Sequence, residues 1–535
     1  MITKPTTQIL DHLGLVAGMF DELGIAEVID QMIPQDQEKR HISVGQAVKA
    51  MVLNGLGFVN QNLYLMPHFF QNKPIDRLMG EGITAEQLNN DVLGRALDSL
   101  FKHDVTCLYH QIGAKAVRAL GLQSNFCHLD SSSFHTDGEY AHSGEEGTVL
   151  ITHGYSRDHR PDLKQIILNL IVENQEGIPL LMSPASGNSQ DKKGFRALLN
   201  AHINQLKGSH NIDYIVADSA LYCKETIEDL SKYSVYWITR VPETSKEVKG
   251  AIETAASFQF LQKGYRYCAV TSHYAGIEQR WLIIQSDEAK KRSLKSQVKW
   301  FSERSLKEGK AFGDLCKKAF ACQIDAEHAL KELEKSLKYT CLHEVKIVEE
   351  QGYKKSGRPA KEAIPDKKSY FIQGSIASIK EIFDKKLHQK SCFVLATNQL
   401  DKTALSDEEI LIQYKNQNKV ERGFRFLKDP MFLADSLFLK STKRITALMM
   451  IMTICLLVYA ALEMRIRAVL KTVVAFFPHQ TGKKTQNPTV RWVFSYFHGI
   501  HVLIIQEVQN IILNLNENHA LLIELMGQKY KKYYA

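Results

Sequence analysis

The chain has 535 residues, of which 44% are hydrophobic and 24% charged, and its formal net charge is +8. This length predicts roughly two to four domains, and the composition excludes a wholly disordered chain or a coiled-coil rod. The modest positive charge permits a polyanion such as nucleic acid as a partner but does not demand one.

Cysteine usage and the N-terminus bear on the compartment. The nine cysteines are scattered, and none forms a Cys-x-x-Cys pair. This pattern fits neither a disulfide framework nor a zinc cluster, so a reducing cytoplasm is predicted. The apolar stretch from Leu13 to Phe20 is short and lies between Asp11 and Asp21, so no signal peptide is expected.

Residues 1–122 are predicted to form an N-terminal helical domain. Ser43, with Gln46 three residues later, makes a capping box, and apolar residues follow at helical spacing. Two further helices are expected, one from Ala85 past Leu100 and one over 102–120.

The pattern changes to strands near residue 124. The predicted elements, in order, are strands at 126–129, 148–152 and 165–172, a turn at 174–177 leading into 178–182 as a hairpin, a helix over 191–206, a strand over 214–217, a helix over 224–230 and a strand over 235–239. Three strands followed by helix, strand, helix and strand is the order of the ribonuclease-H-like fold, an α/β domain whose mixed sheet has flanking helices.

Residues 242–390 break this pattern, which predicts an inserted α+β domain. It holds a strand at 281–285, a Lys-rich helical stretch and a basic, turn-rich segment from Tyr353 to Pro359. A strand at 392–396 and a helix capped by Ser406 then resume the core. The predicted domains are 1–122, 123–241 (first part of the core), 242–390 (insertion), 391–475 (second part of the core) and 476–535 (C-terminal helical region).

The segment from Ile445 to Leu462 is nearly continuous in apolar residues, at about the lower length limit of a membrane span. It is predicted to be a buried helix, because it directly follows a charged helix and contains Thr446, Thr453 and Cys455. No membrane association is expected.

Basic residues concentrate in two tracts. Residues 288–318 hold ten Lys or Arg against four Asp or Glu, and residues 414–444 hold eight against three. Such a tract is either a solvated helix face or a surface for a polyanion.

Three carboxylates stand out by position. Asp130 and Asp218 each follow an apolar predicted strand, where polar residues emerge at the sheet edge that binds ligands. An aspartate after a strand is more often a turn residue or a helix cap, so either one alone is weak evidence. In the helix after Ser406, one face carries residues spaced 3, 4, 4 and 3 apart, namely Tyr414, Gln417, Glu421, Arg425 and Lys428. The alternative for this helix is a solvent-facing surface with ordinary ion pairs.

Carboxylates gathered from distant segments suit phosphodiester chemistry. Two divalent ions about 3.5 to 4 Å apart activate the attacking oxygen and stabilise the leaving oxygen when carboxylates hold them. Hard oxygen ligands favour Mg²⁺ or Mn²⁺.

The segment from Tyr414 to Lys428 resembles the signature Tyr-x2-Arg-x3-Glu-x6-Lys of bacterial insertion-sequence transposases of the Asp-Asp-Glu class. Three of its four positions match, and Gln417 stands where the signature has Arg. This departure affects a phosphate or base contact and not a metal ligand. Residues 154–165 also resemble the start of the second strand in one subgroup, and Gly187-Asn188 resembles its segment before the next helix.

The resemblance implies that Asp130, Asp218 and Glu421 are the catalytic, metal-binding carboxylates and that they hold two Mg²⁺ or Mn²⁺ ions. The long gap between Asp218 and Glu421 is what an insertion before the Glu helix would produce in this subgroup.

The implied function is a DNA transposase. It would bind the terminal inverted repeats of its own element through the N-terminal helical domain, hydrolyse a strand at each end and join the freed 3′-hydroxyls to target DNA. Its partner would be double-stranded DNA, on which it would form a homodimer, in the cytoplasm at the nucleoid. The alternatives are a structure-specific DNA nuclease on the same fold and a catalytically silent DNA-binding descendant, and the intact carboxylate set argues against the latter.

DNA contacts are predicted around Glu421. Tyr414 and Lys428 flank it by two helical turns and are expected to handle DNA and not metal, as the resembling signature helps hold a distorted strand during a hairpin step in related transposases. Arg422 or Arg425 would supply the charge that Gln417 lacks. The predicted DNA-binding residues are Tyr414, Gln417, Arg422, Arg425, Lys428, Arg157 and Arg160, although the last two could instead stabilise a turn. His128, on the strand of Asp130, is predicted to pack in the core.

Overall fold

The structure is a computed structural model, and it describes residues 5–35, 41–58, 63–123, 125–136, 138, 140, 148–255, 257–352, 367–429, 439–505 and 509–535. The described residues form a mixed α/β fold with a large mixed sheet and many helices. The predicted basic segment from Tyr353 to Pro359 lies outside the described residues.

The helices of the described residues are α1 (Leu13–Leu23), α2 (Ile25–Met32), α3 (Val44–Leu56), α4 (Met66–Phe70), α5 (Ile75–Met79), α6 (Asn90–Lys102), α7 (Val105–Leu120), α8 (Asp191–His210), α9 (Lys224–Lys232), α10 (Lys246–Thr254), α11 (Asp287–Cys316), α12 (Gln323–Ser336), α13 (Lys380–Ser391), α14 (Asp407–Lys415), α15 (Asn418–Leu427), α16 (Thr442–Thr472), α17 (Val490–Tyr496), α18 (Glu517–Met526) and α19 (Gln528–Tyr534).

The strands are β1 (Thr6–Ile9), β2 (Phe126–Thr136), β3 (Lys164–Glu173), β4 (Pro179–Ser186), β5 (Tyr214–Ala217), β6 (Tyr236–Arg240), β7 (Gln259–Gln262), β8 (Tyr265–Tyr274), β9 (Ile277–Ser286), β10 (Thr340–Gly352), β11 (Lys367–Ser378), β12 (Cys392–Thr397), β13 (Phe477–Pro478), β14 (Lys484–Thr485), β15 (His501–Ile505) and β16 (Gln509–Leu513).

The chain divides into two compact units. The first comprises Met1–Thr239, His273–Gln279 and Thr397–Ala535, and the second comprises Arg240–Ser272 and Arg280–Ala396. The second unit thus holds most of the residues predicted as an insertion, and the first holds the N-terminal helices together with the C-terminal region. The bounds of the five predicted domains stay predictions.

In the first unit, five strands lie in the order β4-β3-β2-β5-β6. The β2–β3 and β3–β4 pairs are antiparallel, whereas β2–β5 and β5–β6 are parallel. Helix α8 connects β4 to β5, and α9 connects β5 to β6. The predicted order of three strands, helix, strand, helix and strand is therefore present, and the predicted hairpin at 174–177 joins β3 to β4.

The predicted strand at 148–152 is wrong. Only Thr152 pairs, as a single bridge to Gln165. Leu150 N–H instead donates to the Ser186 hydroxyl at 2.9 Å, and Leu150 C=O accepts from Gly187 N at 2.9 Å. The segment is extended, but the backbone groups of Leu150 bond to the Ser186 hydroxyl and to Gly187 N–H. In a strand they would bond to the backbone of a neighbouring strand.

Strand β2 is longer than the apolar pattern predicts. Its parallel pairing with β5 ends at Leu129 opposite Ala217, but its antiparallel pairing with β3 continues to Thr136. The extra residues include the polar run Ser131-Ser132-Ser133, which is buried. A run of polar residues lacks the alternation of apolar and polar residues that predicts a strand.

Local capping explains where several helices begin. At α3 the Ser43 hydroxyl accepts from Gln46 N at 3.0 Å, and the Gln46 side chain accepts from Ser43 N at 2.9 Å, so the predicted capping box is confirmed. The helix predicted from Ala85 begins only at α6, after a short 3-10 turn, because the Asn89 side chain caps Val92 N.

Among the described residues, α16 is a helix long and apolar enough to cross a membrane. However, 89% of its most apolar stretch is buried inside the protein, where it packs against α1, α3, α6 and α7. The prediction that this segment is a core helix is confirmed. A helix surrounded by other helices on most sides needs an apolar surface all round.

The two ends of the chain pack together. Strand β1 pairs with β15, so residues 501–513, which are predicted to be helical, instead form β15 and β16 in their described part. Helix α1 packs against α19, where Gly14 and Gly18 face the rings of Tyr534 and Tyr530. A Cβ atom on Gly18 would lie 2.5 Å from the Tyr530 ring, so this contact requires glycine. Contacts between segments that lie far apart in the chain produce no pattern among neighbouring residues, so the sequence does not predict this packing.

The second unit has its own α+β architecture. Strands β12, β9, β8 and β7 are neighbours in that order, and β10 pairs with β11 in a separate two-stranded sheet. Its small core contains Phe312, Phe320, Ala326 and Ile372.

Substituting Gly18 by Ala should lower the free energy of unfolding by about 1 to 3 kcal/mol, because the new methyl group would overlap the Tyr530 ring. Gly208→Ala is the matched control, since Gly208 is an exposed helical glycine with no atom within 4 Å of the added methyl group. It should be neutral or stabilise by up to about 1 kcal/mol. Chemical denaturation measures both, and equal stabilities of the two variants would contradict the close α1–α19 packing.

Candidate active site

The register of two parallel strands brings Asp130 and Asp218 together. Leu129 pairs with Ala217, so the two aspartates are the next residues on neighbouring strands. Asp130 Oδ1 accepts from Ser131 N at 2.8 Å, and Asp218 Oδ1 accepts from Ala220 N at 2.9 Å. Asp130 lies within β2, at the point where its pairing with β5 stops, and not at the end of the strand as the sequence predicts.

The electrostatics of these aspartates disfavour two bare negative charges. The pKa of Asp130 is raised to about 7, mainly by burial and also by the charges of Asp218 and Glu421, against the opposing effects of Ser131 N–H and Arg157. Burial also raises the pKa of Asp218, as does the charge of Asp191. A cation bound here would relieve this repulsion.

Glu421 lies in the first turn of α15, which packs against β2 and β3, and its side chain is exposed. The single helix predicted from Ser406 through Lys428 is wrong, because α14 ends at Lys415 and α15 begins at Asn418. Tyr414 lies in the last turn of α14, and Gln417 is buried at the junction. Asn416, beside the break, donates from its side chain to the Asn174 side chain at 3.1 Å, a contact that sequence periodicity cannot show.

The turn between β3 and β4 ties Glu421's helix to Asp130's strand. Asn174 Oδ1 lies 2.8 Å from His128 Nε2, and Lys419 Nζ donates to the carbonyl oxygens of Asn174 and Gln175. His128 is fully buried, so its predicted core position is confirmed. The roles of Asn174 and Lys419 are not evident from the sequence, which marks 174–177 only as a turn.

A loop over residues 154–163, termed the site loop, places Arg157 beside Asp130. Arg157 Nη2 donates to Asp191 Oδ2 at 2.6 Å and to Ser131 Oγ at 2.7 Å, and Nη1 lies 3.8 Å from Asp130 Oδ1. Ser131 Oγ donates to Asp191 Oδ1 at 2.8 Å. Asp191 is thus a fourth carboxylate near the aspartates. The sequence offered one clue to it, since it opens the helix that follows Gly187-Asn188.

Two glycines of the predicted motifs have a packing role. A Cβ atom on Gly154 would lie 2.1 Å from Gly187 O, and one on Gly187 would lie 2.0 Å from Gln165 O. Gln165 Nε2 also donates to Gly187 O at 2.7 Å. Only glycine lets these three segments meet, and this meeting brings the site loop next to the start of α8.

Two cations that are predicted to bind DNA form ion pairs with aspartates of the site loop. Lys428 Nζ donates to Asp158 at 2.6 Å and lies 5.6 Å from the centre of the Phe134 ring. Arg160 is exposed and pairs with Asp162 at 2.7 Å. Their contacts with DNA, like that of Arg157, stay predictions.

Arg422 and Arg425 line a cleft of about 360 Å³ on α15. The cleft is also lined by Lys419, Phe426, Asp429, Tyr459, Glu463, Arg467 and Arg491. Arg491 pairs with Asp429 and Arg467 pairs with Glu463, whereas Arg422 and Arg425 are exposed and form no ion pair within the described part of the chain. The rings of Phe426 and Tyr459 lie 4.4 Å apart.

The donor set fits a hard divalent cation by its chemistry. Asp130, Asp218 and Glu421 offer carboxylate oxygens, the ligands that Mg²⁺ and Mn²⁺ prefer, and burial together with nearby negative charge raises the pKa of Asp130. Within the described ranges, however, no three His, Cys, Asp or Glu side chains stand close enough together to hold an ion. The chemistry of these residues therefore fits the cation. Glu421 or one of the strand aspartates must move closer to the others before all three can bind the same ion.

Comparisons with known proteins bear on this site. Residues 5–114 match a domain of unknown function, DUF4277, and residues 123–458 match the family described as "Transposase DDE domain". No curated protein matches the chain. One solved structure with similarity is the cryo-EM structure of the piggyBac transposase synaptic complex with hairpin DNA. It shares 8% sequence identity with a TM-score of 0.36, over 93% of this chain and 83% of that one.

A TM-score this low does not establish a shared fold, so family membership rests on the sequence match. That match spans more than half of the 535 residues and includes Asp130, Asp218 and Glu421. The chain belongs to the transposase DDE domain family.

Proposed function

We propose that this protein is a DNA transposase that binds the terminal inverted repeats of its own element, cleaves a strand at each end and joins the freed 3′-hydroxyls to target DNA. The main support is the approach of Asp130 and Asp218 on paired strands, with Glu421 close enough for its charge to act on Asp130. The strand order β4-β3-β2-β5-β6, with its antiparallel and parallel pairs, supports a ribonuclease-H-like core.

Each step is a phosphoryl transfer in which water or a 3′-hydroxyl attacks in line. Asp130, Asp218 and Glu421 would hold two Mg²⁺ or Mn²⁺ ions. Bound ions of this kind activate the attacking oxygen and stabilise the charge of the leaving oxygen. The residues of the chain orient the ligands, since the β2–β5 register sets both aspartates and the Asn174 turn holds the start of α15.

The cleft on α15 supports a DNA path beside the carboxylates. Arg422 and Arg425 are exposed cations without ion-pair partners in the described residues, so they are free to neutralise phosphates. Tyr414 and Lys428 would contact the same strand. The N-terminal helical region would recognise the element ends, and two copies would assemble on DNA in the cytoplasm.

Replacing each carboxylate singly, as Asp130→Asn, Asp218→Asn and Glu421→Gln, should reduce Mg²⁺-dependent cleavage of end-containing DNA by about 100-fold or more. DNA-end binding should persist, because a lost metal ligand does not remove the cations that contact phosphate. Plasmid nicking and a gel-shift assay measure the two properties.

The matched control is Asp213→Asn. Asp213 is exposed and directly precedes β5, so it lies at the opposite end of the strand from Asp218. This control should cleave like the wild type. Near-normal cleavage by any of the three carboxylate variants would remove that residue from the proposed set. Cleavage without any joining of 3′ ends to a target plasmid would favour the structure-specific nuclease.

Arg422→Ala and Arg425→Ala should each weaken DNA binding and lower the slope of log affinity against log salt by about 1, because each removes one phosphate contact. Lys232→Ala removes one positive charge from an exposed position at the end of α9, outside both the cleft and the N-terminal helices, and should leave the slope unchanged. Fluorescence anisotropy over a salt series measures this. Wild-type slopes in both cleft variants would place the DNA elsewhere.

A further inference from the structure

Asp191 accepts hydrogen bonds from two neighbours of Asp130, Ser131 and Arg157, and the carboxylate chemistry does not explain these bonds. It is the first residue of the 20-residue helix α8, where the backbone dipole favours a negative charge. Its two oxygens accept separately, one from the buried Ser131 hydroxyl and the other from Arg157. Its charge also acts on Asp218. Asp191 therefore bonds to the neighbours of Asp130 and acts on Asp218 through its charge.

Arg157 uses the two ends of its guanidinium group for different partners. Nη2 is shared between Asp191 and Ser131, and Nη1 points to Asp130 at 3.8 Å. The planar group fixes the direction of one nitrogen once the other is bound. Its side chain is 30% exposed, and that of Asp130 is 17% exposed, so solvent screens this contact only in part.

We propose that Asp191 and Arg157 are a positioning pair, in which Asp191 anchors the guanidinium group so that it orients Asp130 for metal binding. This inference rests on the proposed function, because it assigns Asp130 to a metal site. Ser131 is the third member of the unit, since its hydroxyl bonds to both Asp191 and Arg157. In this arrangement neither Asp191 nor Arg157 is a metal ligand, and Arg157 has a structural role in place of the DNA contact that the sequence predicts for it.

Substitutions at position 157 can distinguish a role of the shape of the guanidinium group from a role of its positive charge alone. A lysine at position 157 keeps the positive charge but cannot bridge Asp191, Ser131 and Asp130 with a rigid fork. Arg157→Lys and Arg157→Gln should therefore both reduce cleavage by about 10-fold or more, as is typical when a residue that orients a metal ligand is lost. Their affinity for DNA and its salt dependence should stay at the wild-type values.

The second arm measures metal binding directly. Asp191→Asn should weaken Mn²⁺ binding to the full-length protein by about 10-fold in a calorimetric titration without DNA, and should raise the Mn²⁺ concentration for half-maximal cleavage to match. Asp162→Asn is the matched control, because it removes an aspartate that pairs with Arg160 in the same site loop. This control should bind Mn²⁺ like the wild type.

Three results would overturn the inference. These are wild-type Mn²⁺ affinity in Asp191→Asn, wild-type cleavage in Arg157→Lys, and a fall of about one in the DNA salt slope of Arg157→Gln, which would make Arg157 a phosphate contact. If Asp191→Asn melts at a lower temperature than the wild type, the Arg157→Lys arm decides. If the wild type binds Mn²⁺ but never cleaves end DNA, the proposed function fails, while the Mn²⁺ titration still tests the pair.

Discussion

Negative charges that are gathered in a partly buried place repel one another, and burial adds to the cost of each charge. Asp130 and Asp218 are subject to this constraint, because adjacent strands hold them side by side and Glu421 adds to the field at Asp130. The folding free energy of the surrounding sheet and helices must offset this cost. The contacts around the site thus hold groups that repel one another.

The core around α16 provides the main support. Its Leu, Ile and Met side chains are almost all buried, and each such side chain contributes about 1.5 to 3 kcal/mol when it is fully removed from water. The N-terminal helices, the first strands of the sheet and the C-terminal helices all share this core. The described N-terminal helices are therefore part of the structure that supports the site, and removing them would expose α16.

Two longer-range connections transmit this support to the carboxylates. The turn at Asn174 bonds to His128 on β2 and to Asn416 before α15, so one side chain spans the strand of Asp130 and the helix of Glu421. The site loop provides the other connection, through Asp158 to Lys428 and through Arg157 to Asp191. The first connection reaches His128, two residues before Asp130, and the second reaches Lys428, seven residues after Glu421, so a shift in either would move a proposed ligand.

The sequence alone determined the features that depend on neighbouring residues. The capping box at Ser43, the alternation of strands and helices after residue 124 and the buried nature of α16 follow from periodicity and capping, which act over a few residues. The choice of Asp130, Asp218 and Glu421 as candidates also came from local position and from resemblance. The tertiary structure decided what depends on distant partners. It extended β2 through a polar run, broke the helix before Asn418 and paired β1 with β15, because in each case hydrogen bonds from another part of the chain outweigh the local preference. It also brought Asp191 to Arg157, since only packing at Gly154 and Gly187 places those two segments side by side.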